Sequence, residues 1–152
     1  MKARINNIVG IVPKALEAAQ ALHRVAIDAG VPAKTLYLVA LRASQINGCS
    51  ICVDMHSKEM QRASEPFERI AAVAAWRDTP FFTDAERAAL ALTEAGTRIA
   101  DREDPVPDHV WDAAARHFDE KGLAGLVVAI ATINVWNRFN VLTRQIVGSV
   151  KW

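Results

Sequence analysis

The sequence predicts an all-α fold, built as a single domain of six or seven helices over residues 1–152. Three observations carry this prediction. Alanine is abundant, apolar residues recur at helical spacing, and alternating runs of β-branched residues are nearly absent. Prolines and glycines separate one helical pattern from the next. The chain has about the length of one ordinary domain, and no linker or internal repeat divides it.

Three helices are predicted up to and including the segment that carries the cysteines. Pro13 opens an apolar pattern that ends near Gly30. Pro32 opens the second pattern, which ends at Asn47–Gly48. The third helix is expected to begin at this Asn-Gly break.

Four further helices follow. Ser64 is the predicted N-cap of the fourth, which extends to about Trp76 and has Pro66 in its first turn. The others are indicated by a capping box at Thr83–Glu86, a helix start at Pro107, and a long apolar pattern. This last pattern follows Gly122 and runs from about Leu123 towards Ile146.

The composition favours a cytoplasmic protein with neither nucleic acid nor a membrane as partner. The net charge is only +1 and the basic residues are scattered, so no phosphate-binding face is expected. The first residues lack the apolar stretch and cleavage site of a signal peptide. The least polar segment, Leu123 to Trp136, is shorter than the ~20 residues of a membrane-spanning helix.

The segment QINGCSICVDMH contains the only two cysteines, Cys49 and Cys52, and it also contains His56. On a helix these three residues fall on one narrow stripe, because each step turns about 100°. Cys52 and His56 are neighbours at i and i+4. Cys49 is expected in the first turn, where the helix dipole favours a thiolate. The spacing therefore supplies two activated thiols, one to attack and one to close a disulfide.

Two other interpretations of this segment are possible alternatives to a redox pair. Small buried cysteines often pack simply as apolar residues. A zinc ion is the second alternative, but a closed structural site needs four ligands and there is no second CxxC. His23, His109 and His117 are far away in sequence. We therefore predict a redox pair and no metal or other bound cofactor.

The segment LRASQINGCSICVDMHSKE resembles the core motif of the alkylhydroperoxidase D / carboxymuconolactone decarboxylase-like superfamily. The later stretches FFTDAERAALALTEAGTRIAD and INVWNRFNVLTR look like its short single-domain members. The resemblance implies an all-α protein that assembles into homo-trimers or homo-hexamers. It also implies a hydroperoxide substrate and an external dithiol reductant. Carried over, Cys52 is the attacking thiol, Cys49 the resolving thiol and His56 the base of a proton relay.

The chain departs from this family's pattern in the relay. Relatives usually have a glutamate twelve residues before the first cysteine, where this chain has Tyr37. Some also have a histidine just before the second cysteine, where this chain has Ile51. We expect weak peroxidase activity as a result. Glu94, in an otherwise apolar stretch, is a candidate replacement acid, although a glutamate that is either solvated or held by N–H donors is the favoured interpretation.

The last helix carries Asn134, Asn137, Arg138 and Asn140 on an apolar background. We expect these side chains to line an interface or to bond loop backbone near the thiols, in a mainly structural role.

Three classes of function are compatible with these features. The first is a thiol-dependent hydroperoxide reductase or disulfide-exchange protein. The second is a non-catalytic helical oligomer whose cysteines sense oxidants or only pack. The third is a decarboxylase-like enzyme that acts on a small carboxylated lactone; the thiol pair argues against it, because that branch of the superfamily does not need one.

Overall fold

The computed structural model describes residues 1–148, and within this range it contains eight α-helices, two short 3₁₀ segments and no β-strand. The all-α prediction is confirmed, with a four-residue first helix beyond the predicted set. The helices are α1 (Ile8–Ile11), α2 (Pro13–Asp28), α3 (Ala33–Ile46), α4 (Ser50–Arg62), α5 (Phe67–Ala72), α6 (Asp84–Thr97), α7 (Asp108–Ala115) and α8 (Glu120–Thr143). The 3₁₀ segments are Val73–Asp78 and Ile99–Asp101.

Several predicted helix ends are wrong, each for a local reason. Ser64 does not cap α5, because it adopts φ 60° in the preceding turn and Pro66 occupies the N-cap position. Pro107 is likewise the N-cap of α7 and not its first helical residue. Gly122 lies inside α8, since Asp119 accepts its backbone N–H at 2.8 Å and starts the helix there. The predicted capping box at Thr83 and Glu86 is present.

Helix α3 is the centre of the domain and is buried on two sides. Leu36 and Val39 face one apolar cluster, which includes residues of α6 and α8. Leu38 and Leu41 face a second cluster, formed with α4, the 3₁₀ segment at Val73–Asp78 and α6. Since both faces of α3 are covered, its C-terminal end is held firmly where the chain turns towards the cysteines.

Helix α8 also runs through the core, and it packs against α2, α3 and α6. Gly125 allows a close approach here, because a Cβ at this position would lie 2.5 Å from the Cβ of Ala29. By length and composition alone, Glu120–Thr143 could cross a membrane. The apolar segment that the sequence analysis described, Leu123 to Trp136, is shorter than this helix and did not predict a membrane span. Half of the most apolar window of α8 is buried inside the domain, as in a core helix.

A chain of buried and partly buried amides joins α3 to α8. Asn47, just after α3, donates to the Oδ1 atoms of Asn134 at 2.9 Å and Asn137 at 2.8 Å. Asn137 in turn donates to Ser44 Oγ at 3.0 Å. These bonds satisfy polar groups that would otherwise be costly to bury. They also fix the C-terminal half of α8 beside the turn that leads into the cysteines.

Candidate functional site

A tight turn between α3 and α4 places the first cysteine. Gly48 adopts φ +65°, a conformation that side chains disfavour, and the next N–H, of Cys49, donates to Ser44 O at 3.0 Å. Cys49 is then the N-cap of α4, with φ −82° and ψ 92°, and the helix begins at Ser50. The sequence placed Cys49 in the first turn; the structure places it one position earlier, still at the positive end of the helix dipole.

Cys49 and Cys52 form a disulfide, with 5.3 Å between their Cα atoms. Each is only 1% exposed, and with Ile51 they make a small buried cluster. Asn140 of α8 donates from Nδ2 to Cys52 Sγ at 3.3 Å. Of the α8 asparagines singled out in the sequence, Asn140 therefore contacts the sulfur itself, whereas Asn134 and Asn137 hold α3 to α8.

His56, one turn after Cys52, is buried and is held by an acid on its own helix. Its Nδ1 lies 2.7 Å from Glu59 Oε2. The hydrogen bond with His56 is the main reason that the pKa of Glu59 lies below its ordinary value, even though burial opposes the shift. A carboxylate at Nδ1 favours the tautomer with the proton on Nδ1. The other ring nitrogen, Nε2, is buried and has no hydrogen-bond partner in the described part of the chain, so it is available to accept a proton.

Neither of the two relay positions that the sequence suggested, Tyr37 and Glu94, forms a hydrogen bond with the cysteines or His56 among residues 1–148. Tyr37 is half-buried beside the second apolar cluster, as is Val53 of α4, and it bonds to neither cysteine nor His56 within residues 1–148. Glu94 accepts from Arg42 Nε at 2.7 Å and from Trp76 Nε1 at 3.0 Å, and it pairs with Arg77 at 2.6 Å. Of the two structural roles that the sequence favoured for Glu94, solvated or held by N–H donors, the structure shows the second.

Glu59 is the functional candidate that the sequence interpretation missed. The signal was available, because residues at i and i+3 of a helix are neighbours and Glu59 follows His56 by three positions. The resemblance instead points to the family's usual position, twelve residues before the first cysteine, where this chain has Tyr37. Over the described residues, no group of three or more histidine, cysteine or acidic side chains could hold a metal ion.

A cleft opens beside the disulfide, between the N-terminal end of α4 and the C-terminal end of α8. Its volume is about 640 Å³, and its lining includes Cys49, Ile51, Asn140 and Val141. That volume is in the range of small-molecule pockets. Cys52 does not line the cleft directly but touches it through Asn140. The site therefore combines a buried disulfide, a histidine–carboxylate pair and an adjoining cleft.

Comparison with known proteins places the chain in a family. The sequence profile of the carboxymuconolactone decarboxylase family matches residues 13–95. The chain belongs to this family. YdfG, an uncharacterized protein of Bacillus subtilis (strain 168), is 32% identical over 131 residues, which are 86% of this chain and 88% of YdfG. YnjA, an uncharacterized protein of Escherichia coli (strain K12), is 35% identical over 103 residues; these are 68% of this chain and only 55% of YnjA.

Solved structures confirm the fold of this family member. An Agrobacterium tumefaciens protein of unknown function, ATU0492, which carries a provisional assignment to antioxidant defence as AhpD, superposes with a TM-score of 0.90. It is 37% identical, and the match covers 99% of this chain and all of that protein. The apo structure of the debrominase Bmp8 has a TM-score of 0.80 at 22% identity, over 93% of this chain and 75% of Bmp8. At that identity the likeness concerns the fold alone.

The contact from Asn140 leads to a prediction for the reduced protein. Asn140→Ala should slow alkylation of Cys52 by iodoacetamide at neutral pH by about tenfold, because a hydrogen bond to a charged acceptor is lost from the thiolate. Mass spectrometry of the alkylated peptide measures this rate. Lys121→Ala is the control, since Lys121 lies at the opposite end of the same helix. An unchanged Cys52 rate in Asn140→Ala would contradict the prediction.

Proposed function

We propose that this protein is a thiol-dependent hydroperoxide reductase, with disulfide exchange through the same two cysteines. The observation that carries the proposal is the pairing of Cys49 with Cys52 beside a cleft, with His56 one turn further along α4. Membership of the family and the likeness to ATU0492 support it. An alternative chemistry, decarboxylation of a carboxylated lactone, would leave the paired cysteines without a role.

The oxidative half of the proposed reaction begins with the reduced pair. Nε2 of His56 takes the proton of the Cys52 thiol, while the Glu59 carboxylate steadies the imidazolium through Nδ1. The Cys52 thiolate attacks one peroxide oxygen, the O–O bond breaks, and the departing alkoxide takes the proton to leave as an alcohol. Cys52 is then a sulfenic acid. The Cys49 thiol attacks its sulfur, an S–S bond forms, and water leaves.

The reductive half returns the pair to two thiols at the expense of an external dithiol. Because Cys49 lines the cleft and Cys52 lies behind it, an incoming thiolate meets the Cys49 sulfur first. Its attack forms a mixed disulfide on Cys49 and releases Cys52 as a thiolate, to which Asn140 can donate. The second thiol of the reductant then resolves the mixed disulfide. In sum, one hydroperoxide and one dithiol become alcohol, water and a disulfide.

The decisive test counts free thiols in the reduced protein before and after one equivalent of cumene hydroperoxide. We expect two free thiols to fall to none, with one alcohol formed for each disulfide, and a dithiol such as dithiothreitol to restore both. Oxidation without turnover in the presence of dithiothreitol would favour the oxidant-sensing alternative. Thiols that stay free under excess hydroperoxide would reject any redox function.

Glu59 is proposed as the acid that stands behind His56 in this protein. Glu59→Gln should lower the rate of thiol oxidation by cumene hydroperoxide by about tenfold, because a carboxylate no longer supports the imidazolium. Tyr37→Phe is the matched control and should leave the rate unchanged, since Tyr37 bonds to none of the site residues described. Stopped-flow measurement of both variants against the parent protein decides the point. If Tyr37→Phe is slow and Glu59→Gln is normal, the relay runs through the family's usual position after all.

We also propose that the protein works in the cytoplasm as a homo-trimer or homo-hexamer. Apolar side chains remain exposed on α2 and α8, among them Val25, Ile27 and Leu142. A subunit interface would bury such side chains. Light scattering at micromolar concentration should therefore give three or six times the monomer mass of 16.6 kDa. A monomer under these conditions would contradict the prediction.

A further inference from the structure

The cleft beside Cys49 has a distinctive distribution of charge. Its walls are largely apolar and include Ile51, Val141 and Val147. Two cationic side chains, Lys2 and Arg144, also line it, and both are exposed to solvent. None of the lining residues that the structure describes is acidic. Since the whole chain carries a net charge of only +1, this excess of positive charge is a local property of the cleft.

The backbone adds to the positive electrostatic potential in the cleft. Helix α4 begins at Ser50 in the wall of the cleft, and no side chain caps its first N–H groups. The positive end of a helix dipole therefore lies beside Lys2 and Arg144. An anionic ligand entering the cleft meets three positive features and an apolar surface, and the disulfide lies in the same wall.

We propose that the cleft selects organic hydroperoxides that carry a carboxylate, with an apolar frame between the carboxylate and the peroxide group. This inference rests on the proposed function, because it names the substrate class of the same site. The carboxylate pairs with the guanidinium of Arg144, which presents donors in a fork that matches two carboxylate oxygens. The apolar frame lies against Ile51 and Val141, and the peroxide end passes Cys49 and points towards Cys52, which lies behind Asn140. Hydrogen peroxide has neither a carboxylate nor an apolar frame, so the cleft does not favour its binding.

The chemical step is the one already described, and the carboxylate passes through it unchanged. The charge acts only on capture, so its effect appears in the second-order rate of the reduced protein with dilute hydroperoxide. It does not alter the stoichiometry of thiol, alcohol and water. This separates the substrate inference from the proposed reductase function.

The test compares three hydroperoxides that share one frame: cumene hydroperoxide, its para-carboxylate and the para methyl ester. Rapid quenching with an alkylating agent and mass spectrometry measure disulfide formation. At low ionic strength the carboxylate should react about three- to tenfold faster than the ester, because each exposed ion pair contributes only modestly. Added salt should bring the two rates together, since it screens exposed charges.

Charge variants make the test specific to the cleft. Arg144→Gln and Lys2→Gln should each slow the carboxylate and leave the ester unchanged, and Arg144→Glu should make the ester the faster of the two. Arg144 adopts φ 53°, and a glutamine or glutamate there meets the same backbone strain, so fold loss is not expected. Lys121→Gln, at the opposite end of α8, is the matched control and should alter neither rate.

The possible outcomes are distinguishable. Equal rates for the carboxylate and the ester, with both oxidising the thiols, would overturn the substrate inference and leave the reductase function standing. Failure of all three hydroperoxides to oxidise the thiols would overturn the function and the inference together. A carboxylate preference that persists in Arg144→Gln and Lys2→Gln would show that these cations do not create it.

Discussion

Replacing Cys52 with serine should lower the reaction with hydroperoxide by roughly a hundredfold or more, whereas replacing Cys49 should preserve the first chemical step. The difference follows from position. Cys52 accepts a hydrogen bond from Asn140, which supplies a donor for its thiolate, and His56, the base that we propose, follows one turn later on α4. Cys49 lies outside α4 proper, at its N-cap, and has no comparable side-chain partner among the described residues.

The Cys49→Ser variant gives the sharper result. Without the resolving thiol, the sulfenic acid on Cys52 cannot close to a disulfide, so it should persist long enough to be trapped by dimedone. Intact-mass analysis should show one adduct, and peptide mapping should place it on Cys52. Ser57→Ala, on the same helix, is the control and should form the ordinary disulfide. An adduct on Cys49 in the Cys52→Ser variant would show that the two roles are inverted.

The sequence was sufficient for the all-α fold because its signals are local. Apolar spacing, proline starts and the capping box at Thr83 each act within a few residues, and the helices formed where these signals lay. The errors are also local. At Ser64 the chain turns with positive φ before the helix can begin, and at Asp119 a cap starts the helix upstream of the glycine that had looked like a break.

In the candidate site, some residues are predictable from local spacing and others depend on tertiary packing. The stripe of Cys49, Cys52 and His56 is a property of one helix and its cap, so spacing alone predicts it. Asn140 reaches Cys52 from 88 residues away, and nothing local in the sequence indicates that contact. Only the packing of α8 against α4 brings the two together. Glu59 differs from both, because its i, i+3 spacing from His56 is a local signal, whereas the family resemblance points to position 37.

Replacing Glu94 should also have a large effect, but on the stability of the fold and not on catalysis. It is a buried carboxylate that holds Arg42 of α3, Trp76 and Arg77 around α6. Glu94→Gln should lower the free energy of unfolding by about 3 kcal/mol, because the largely buried guanidinium of Arg42 loses its counter-charge. For a chain of this size that corresponds to a fall in Tm of roughly 6–12 °C.

Glu94→Gln should nevertheless leave thiol oxidation by hydroperoxide intact at a temperature where the variant is folded, since Glu94 bonds to none of the site residues described. Burial alone would raise the pKa of Glu94, but the hydrogen bonds from Trp76, Arg77 and Arg42 outweigh it and hold the pKa below its ordinary value. A carboxylate with a lowered folded-state pKa contributes stability that is present above its unfolded pKa and is lost as the pH falls through the folded one. The difference in unfolding free energy between the parent and Glu94→Gln should therefore be constant near neutral pH and shrink as the pH falls below the ordinary pKa of a glutamate and through the lowered pKa of Glu94. Glu103→Gln, in an exposed loop, serves as the control. Urea unfolding at several pH values measures the difference in unfolding free energy. A difference that grows on acidification would contradict the stabilising role of the Glu94 carboxylate. A Glu94→Gln variant that is fully folded yet does not react with hydroperoxide would show that Glu94 belongs to the proton relay.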